Sequence, residues 1–267
     1  MSGARRFLLT GVVSRYQYAP SWDREELAAD RERMVAIFND DLGYEHVPLM
    51  GLDPTQRQIE DALRDFSTSP DRRPEDYVAV YLAGHGDVLE VGGTGAEHVL
   101  LPADAQPSDR YRRVIRSADL ARLMLAGTKV RRLLLMLETC FSGQGGVDFT
   151  GNAASWAGNW SRFDTPDGSG VVVVSATQPK QEAIPGAFTQ AFERAVRSPA
   201  AAGHVPGGLP LDAVVGVMNA DPALPRTQRV QVSLVLGDGR MPDFLPNPRE
   251  DPALIDLDLV RQSAIAS

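Results

Sequence analysis

Two side chains that can do covalent chemistry follow the two most apolar segments of the sequence. His85 lies in the run Gly84–Asp87, directly after YVAVYLA, and Cys140 lies in Glu138–Gly143, directly after RRLLLML. A cysteine is a nucleophile only as the thiolate, and a neighbouring imidazole can take the thiol proton. The carboxyl ends of strands in an open parallel sheet share one edge, where ligands bind. The two segments therefore predict Cys140 as a nucleophile and His85 as its general base.

Glycines beside the histidine leave the backbone open to a substrate carbonyl. Because Gly86 has no Cβ, we expect the N–H groups of Gly86 and Cys140 to bind the oxyanion of a tetrahedral intermediate. The alternative is structural, since a single cysteine is usually a small buried hydrophobe. The combination of both residues at adjacent strand ends favours catalysis. Three further histidines without such a context are expected on the surface or in loops: His46, His98 and His204.

Short apolar runs alternate with amphipathic segments along the chain. Runs that are apolar on both faces are typical of buried parallel strands, and their alternation with helices indicates βαβ units around a parallel sheet. The expected strands are Phe7–Val13, Tyr77–Ala83, Leu133–Leu137 and Val171–Val174, with Tyr44–Met50 and Val230–Leu236 as weaker candidates. The expected helices are Asp23–Leu42, a segment from an Asp53 N-cap and Pro54 to Phe66, Ser117–Leu125, Ala187–Val196 and Leu209–Asn219.

Three stretches depart from this alternation. Val88–Leu101 carries glycines between two short extended pieces and predicts an antiparallel hairpin at the edge of the sheet. Gly143–Gly170 is rich in Gly, Asn, Ser and Asp and predicts a long mobile loop. The chain becomes Pro-rich and acidic from about Pro246. We therefore expect one domain over residues 1–247 and a tail or linker over residues 248–267.

The composition argues against several classes of protein. A hydrophobic content of 43% in 267 residues supports a folded core rather than disorder. A net charge of −8 and a pI near 5.1 argue against nucleic acid or an anionic membrane as the main partner. One cysteine allows no internal disulfide and favours the reducing cytoplasm. The sequence has no stretch near the ~20 apolar residues that a membrane span needs. It also lacks the Asp spacing of an EF-hand, so no metal is expected.

The two motifs AGHGD and ETCFSG resemble the paired His and Cys signatures of the caspase/metacaspase clan. The resemblance covers roughly Phe7 to Leu245 and includes Ser175–Ala195, with its G-x-F-T sequence. It implies a caspase-like three-layer α/β/α sandwich with a mainly parallel six-stranded sheet. It also implies a cysteine endopeptidase that works through a Cys-His dyad and a thioester acyl-enzyme. By analogy, such a protein is a regulated effector in bacterial signalling or defence.

The resemblance further implies which side chain the enzyme selects. In metacaspases an Asp two residues before the cysteine and a second Asp in the first helix form an acidic pocket for Arg or Lys. Glu138 and Asp30 occupy these positions here, and paired carboxylates suit a guanidinium. Caspases that cut after Asp carry a Gln at the Glu138 position. Glu138 is one methylene longer than the family's Asp, which leaves Arg or Lys open, and Asp30 has the alternative of a solvated helix face.

Other charged residues have roles that depend on this specificity. Arg162 is the only basic residue between Cys140 and Lys180, so an enzyme that cuts after basic residues has a possible self-cleavage site there. An ordinary loop arginine is the alternative. Asp87 either orients His85 or caps the predicted hairpin. Calcium activates some metacaspases and stays a possible activator without support in the sequence.

Two other functions stay open beside the peptidase. The first is a catalytically silent caspase-like module that binds peptides or a partner domain, although such modules usually lose the His or the Cys. The second is another cysteine amide hydrolase, which gives no reason for carboxylates beside the cysteine. The expected partners are a protein or peptide substrate and an activating or regulatory module, with no nucleic acid and no membrane.

Overall fold

The computed structural model describes residues 4–91, 95–109, 112–157, 160, 166–201 and 207–249. Its strands are β1 (Arg6–Val12), β2 (Glu45–His46), β3 (Tyr77–Ala83), β4 (Gly86–Val91), β5 (Gly95–Leu100), β6 (Ile115–Arg116), β7 (Arg132–Glu138), β8 (Gly170–Ser175) and β9 (Gln231–Leu236). Its α-helices are α1 (Glu26–Ala36), α2 (Gln56–Thr68), α3 (Ser117–Leu125), α4 (Ser142–Ala157), α5 (Ala187–Arg197) and α6 (Leu211–Ala220). A π-helical turn at Ile37–Asp41 follows α1 directly.

Six strands form the central sheet in the order β2-β1-β3-β7-β8-β9. All neighbours pair in parallel except β8 and β9, which pair antiparallel. The predicted mainly parallel six-stranded sheet is thus confirmed. All seven residues of β3 are buried, as expected for a strand whose two faces are both covered by helices.

Alternate residues of each central strand feed two separate apolar cores. One core joins Tyr81, Leu134 and Val172 to apolar residues of α1, α5 and α6. The other joins Val80, Leu135 and Val173 to apolar residues of α2, α3 and α4. The period-2 alternation of side chains therefore places three helices on each face of the sheet. This arrangement is the predicted three-layer sandwich.

The prediction of a long loop over Gly143–Gly170 is wrong for its first half, which forms α4. The glycines that suggested a loop lie in this helix. Glycine is needed at two of these positions because neighbouring segments come too close for a Cβ. A Cβ at Gly143 would lie 2.6 Å from the carbonyl oxygen of Thr177, and one at Gly145 would lie 2.6 Å from Nδ1 of His98. Packing against the core thus outweighs the low helix propensity of glycine.

The predicted N-cap of α2 is also wrong, because Thr55 rather than Asp53 caps the helix. Thr55 and Gln58 form a capping box in which each side chain accepts the backbone N–H of the other. Asp53 has a φ of 55° and accepts hydrogen bonds from the backbone N–H groups of Ser14 at 2.6 Å and Arg15 at 2.9 Å. Its carboxylate therefore holds the segment after β1 instead of the helix.

The predicted hairpin exists but belongs to a sheet of its own. β4, β5 and β6 form a three-stranded antiparallel sheet, and β4 begins one residue after His85. The chain thus passes directly from β3 of the central sheet into the small sheet.

Among the described residues, no helix is both long and apolar enough to cross a lipid bilayer.

Candidate active site

His85 and Cys140 occupy equivalent positions beyond two neighbouring strands. Ala83, the last residue of β3, pairs with Glu138, the last residue of β7, and each reactive residue follows two positions later. The backbone N–H of Gly84 donates to the carbonyl oxygen of Glu138 at 3.3 Å, which extends the pairing past the strands. A cavity of about 320 Å³ opens at this edge and is lined by Arg24, Leu27, Gly84, His85, Glu138, Cys140, Glu182, Ala183 and Pro185.

A tyrosine hydroxyl and a backbone carbonyl hold the backbone and the ring of His85. Its backbone N–H donates to the hydroxyl oxygen of Tyr16 at 2.8 Å, and its Nε2 lies 2.7 Å from the carbonyl oxygen of Trp22. Since a carbonyl only accepts hydrogen bonds, Nε2 carries the proton and Nδ1 of the neutral ring keeps its lone pair. Burial lowers the pKa of His85. The ring is therefore neutral and can accept a proton at Nδ1.

The thiol of Cys140 is half-buried beneath the segment after β8. The backbone N–H of Ala183 points to Sγ at 3.4 Å, and the Ala183 carbonyl oxygen lies 4.0 Å away. Burial is the main cause that raises the pKa of Cys140 above its ordinary value. At neutral pH the resting pair is thus a thiol and a neutral imidazole. Cys140 would therefore become a nucleophile only if its thiol proton were transferred to a base.

The two predicted oxyanion donors have no acceptor within the described part of the chain. Gly86 of β4 pairs with Leu100 of β5, and the N–H of Leu101 donates to the carbonyl oxygen of His85 at 3.0 Å. This bond makes Gly86 and Leu100 a non-hydrogen-bonded pair, so the Gly86 N–H points away from β5. No acceptor in the described part of the chain takes the N–H of Cys140. Both predicted donors are therefore available.

Glu138 lies in the same cavity and is almost fully buried, at 2% exposure. Its Oε2 accepts hydrogen bonds from the hydroxyl groups of Tyr81 at 2.6 Å and Thr189 at 2.5 Å. Its Oε1 has no hydrogen-bond partner among the described residues. Burial raises the pKa of Glu138 to about 7, against the opposing effect of the two hydroxyl groups. A cationic group that entered the cavity would meet a carboxyl group with one unused oxygen.

Asp30 is buried close to this group but does not line the cavity. The alternative of a solvated helix face is wrong, since Asp30 is 4% exposed. Burial raises the pKa of Asp30, and its charge helps to raise the pKa of Glu138. A Cβ on Gly186, the N-cap of α5, would lie 2.8 Å from Oδ2 of Asp30. The carboxylate thus lies at the N-terminus of a helix, where negative charge is favourable.

The remaining predicted residues divide into three groups. His98 was expected on the surface or in a loop, and this is wrong because it is fully buried in β5. Oδ1 of Asp87 accepts the N–H of Val88 at 2.8 Å at the start of the hairpin. Arg162 and His204 lie outside the described residues. Within the described part of the chain, no group of three His, Cys, Asp or Glu side chains could hold a metal ion.

Several residues of the site had no signal in the sequence. The Trp22 carbonyl is a backbone group, so no residue type marks it. Tyr16 is one of several tyrosines, and its ring centroid lies 5.2 Å from that of His85. Thr189 falls in the G-x-F-T sequence, which pointed to the family but not to a hydrogen bond with Glu138. Only the packing of distant segments shows these roles.

The profile of the caspase domain matches residues 11–210 of the chain. The chain belongs to the caspase-domain family. No curated protein matches the chain. Among solved structures it is similar to protein GSU0716 from Geobacter sulfurreducens, with a TM-score of 0.59 and 15% sequence identity, over 91% of this chain and 99% of that one. This likeness concerns the fold alone, which agrees with the α/β sandwich of the caspase family.

Proposed function

We propose that this caspase-family protein is a cysteine endopeptidase that cleaves peptide bonds after Arg or Lys. The observation that carries the proposal is one cavity lined by Cys140, His85 and the buried Glu138. A nucleophile, a base and an acid for substrate recognition at one sheet edge are the parts that such a reaction requires.

In the proposed reaction, Nδ1 of His85 takes the thiol proton while Sγ of Cys140 forms a bond to the scissile carbonyl carbon. The carbonyl π electrons move to the oxygen, which accepts hydrogen bonds from the N–H groups of Gly86 and Cys140. Collapse of this intermediate breaks the C–N bond, and the leaving amine takes the proton from Nδ1. Water then attacks the thioester and gives a proton to Nδ1. That proton returns to sulfur as the C–S bond breaks.

The proposed preference for basic residues rests on the unpartnered oxygen of Glu138. An ammonium or guanidinium would supply N–H donors to Oε1, which has none within the described residues. It would also favour the ionised carboxylate, whose pKa of about 7 reflects the cost of burial. Asp30, which lies beside the N-terminus of α5, would add to the negative electrostatic potential near Glu138. An aspartate side chain in this cavity would meet like charge.

The test is a panel of fluorogenic peptides that differ only in the residue before the scissile bond, with Arg, Lys, Gln or Asp there. The parent protein and Cys140→Ala are compared with calcium and with a chelator, and thermal melting checks that both are folded. We expect cleavage after Arg or Lys that is lost in Cys140→Ala. Cleavage after Asp alone would refute the proposed pocket. Activity retained in Cys140→Ala would refute the nucleophile.

Two outcomes would favour the other functions of this fold. A folded protein that neither cleaves the panel nor reacts at Cys140 with an arginyl chloromethyl ketone would favour a silent binding module. Hydrolysis of small amides without peptide cleavage would favour another cysteine amide hydrolase. The ketone separates these outcomes because it alkylates a competent thiol beside an occupied pocket and needs no turnover.

We further propose that the chain is a zymogen. The N–H of Phe141 donates to the carbonyl oxygen of Gln181 at 2.8 Å, and Ala183 contacts Sγ of Cys140. The segment 181–183 therefore lies where a substrate backbone would bind. Cleavage after Arg162 is the proposed activating event. Mass spectrometry of the incubated protein should find a new N-terminus at Phe163, absent in Cys140→Ala and in Arg162→Gln. Full activity of an uncleaved chain would argue against the zymogen.

We place the enzyme in the cytoplasm, with a protein or peptide substrate and an activating or regulatory module as partners. The single thiol suits a reducing compartment, and the net charge of −8 suits basic peptides better than nucleic acid or anionic lipid. A role as a regulated effector in bacterial signalling or defence follows from fold analogy. Pull-down on the Cys140→Ala protein would identify bound modules and substrates.

A further inference from the structure

A fully buried histidine lies directly behind Cys140. The Nδ1 of His98 is 2.7 Å from the hydroxyl oxygen of Ser117. Its Nε2 is 3.1 Å from the carbonyl oxygen of Cys140 and 3.1 Å from the hydroxyl oxygen of Thr139. Burial lowers the pKa of His98 to about 4, so the ring is neutral at physiological pH. Both ring nitrogens thus have partners inside the protein.

Of the three partners of His98, only the Cys140 carbonyl selects a tautomer, because hydroxyl groups can donate or accept. A carbonyl oxygen only accepts hydrogen bonds, so the contact with Cys140 requires the proton on Nε2. Nδ1 then carries a lone pair and accepts the hydroxyl hydrogen of Ser117. In this tautomer both nitrogens are satisfied, which a buried polar ring requires. The imidazole therefore acts as a rigid link between α3 and the Cys140 carbonyl.

The bond from His98 acts on a strained peptide unit. The carbonyl of the Cys140–Phe141 peptide accepts from His98, and the N–H of the same peptide donates to Gln181. Phe141 has a φ of 58°, a left-handed conformation that disfavours a side chain with a Cβ. Such backbone persists only where surrounding contacts hold it. His98 is one of these contacts.

Two glycines make room for the buried ring. A Cβ at Gly86 would lie 2.6 Å from the Cys140 carbonyl oxygen and 2.8 Å from Nε2 of His98. A Cβ at Gly145 would lie 2.6 Å from Nδ1. The backbone of Gly86 therefore packs directly on the bond between His98 and Cys140. The spacing between the two proposed oxyanion donors, Gly86 and Cys140, depends on this contact.

We propose that His98 is a positioning residue that holds the Cys140 carbonyl and thereby sets the two oxyanion donors. This inference rests on the proposed peptidase function. It predicts that the loss of the Nε2 donor lowers kcat and leaves KM nearly unchanged, because the ring does not line the substrate cavity. A misplacement of about 1 Å near the reacting atoms lowers the rate roughly 100-fold.

The kinetic test compares three substitutions of His98 that place a donor near the Nε2 position, near the Nδ1 position or at neither. The side-chain nitrogen of Gln reaches about as far as Nε2, and that of Asn about as far as Nδ1. We expect His98→Gln to keep kcat within about 5-fold of the parent, and His98→Asn and His98→Leu to lose roughly 100-fold. Equal kcat in the Gln and Leu variants would overturn the proposal.

Alkylation by iodoacetamide separates positioning from general damage. This displacement consumes the thiolate and forms no oxyanion, so we expect its rate at Cys140 to change less than 3-fold in the Asn and Leu variants. The signature of positioning is thus a large loss in peptide cleavage with little loss in alkylation. Parallel losses in both reactions would show a merely structural role and overturn the proposal.

A measurement without turnover separates this inference from the proposed function. Long-range ¹H–¹⁵N spectra of the parent protein report the tautomer of each histidine, and His98→Gln assigns the His98 signals. We expect the Nε2–H tautomer down to about pH 5. An Nδ1–H tautomer would overturn the inference even in an active enzyme. An Nε2–H tautomer in a protein that cleaves no peptide would support the link to Cys140 and place the failure in the proposed function.

Discussion

Replacement of Glu138 by Gln should change how the stability of the protein depends on pH. The carboxyl group is 2% exposed, and burial raises its pKa from an ordinary 4.5 to about 7. Between these values the folded protein keeps a proton that the unfolded chain has released. The contribution of Glu138 to stability is therefore complete below pH 4.5 and is lost as the pH rises through 7.

The magnitude follows from the two pKa values. At about 1.4 kcal/mol for each pKa unit, ionisation of Glu138 costs the folded state about 3.5 kcal/mol, of which about 2.5 kcal/mol falls between pH 5 and 8. The amide of Gln cannot ionise and accepts the same two hydroxyl groups. We expect Glu138→Gln to match the parent near pH 5 and to be more stable by about 2.5 kcal/mol at pH 8. This difference corresponds to roughly 5–10 °C in Tm.

Urea unfolding followed by circular dichroism at pH 5, 6, 7 and 8 measures this difference. Glu182→Gln is the matched control, because Glu182 lines the same cavity but is exposed. Its unfolding free energy should stay parallel to that of the parent at every pH. If the Glu138→Gln and parent curves also stayed parallel, Glu138 would carry no burial cost and the reasoning would be refuted.

The same titration should appear in substrate binding. A cationic substrate side chain binds the ionised carboxylate, so KM for an arginyl peptide should fall as the pH rises from 6 to 8 in the parent. In Glu138→Gln, KM should be higher at pH 8 and independent of pH over this range. An unchanged KM in the variant would separate Glu138 from the proposed pocket, whatever its effect on stability.

Three further predictions concern the elements around the dyad. Gly145→Ala should destabilise the protein by more than about 2 kcal/mol, since its Cβ would lie 2.6 Å from the buried imidazole of His98. Gly151→Ala has open space in the same helix and should stabilise the protein by about 0.5–1 kcal/mol. Chemical denaturation tests both variants, and equal effects would contradict the packing argument. Tyr16→Phe removes the acceptor of the His85 backbone N–H and should lower kcat roughly 10-fold, whereas Tyr18→Phe, at a residue 52% exposed, should leave kcat unchanged. The alkylation rate of Cys140 should still rise with pH above pH 9, because burial raises the pKa of its thiol; a plateau below pH 8 would show an activated thiolate instead.

The central sheet and the placement of His85 and Cys140 at one edge could be predicted because their signals are local. Tyr77–Ala83 and Leu133–Leu137 are apolar at every position, which only a strand covered on both faces tolerates. His85 and Cys140 follow these runs directly, so the shared edge of a parallel sheet brings them together without knowledge of the loops. The strand Gly170–Ser175 was predictable for the same reason.

The structural roles of several glycines and histidines could not be predicted, because they depend on which segments meet. Gly145 looks like a loop residue in sequence, yet it lies in α4. This helical position holds a glycine because the ring of His98 occupies the space that a Cβ would need. His98 itself follows Glu97 and was expected on the surface or in a loop. Its burial is decided by α3 and by the Cys140 turn with the following α4, which come from two separate parts of the chain.

The sequence by itself determined the alternation of strands and helices and the sheet edge that His85 and Cys140 share. These follow from apolar periodicity and from residue types adjacent to strand ends. Only the tertiary structure decided the tautomer of His85, the protonation of Glu138 and the contact between His98 and Cys140. Each depends on distance and burial between residues far apart in the chain, and these quantities exist only once the chain is packed.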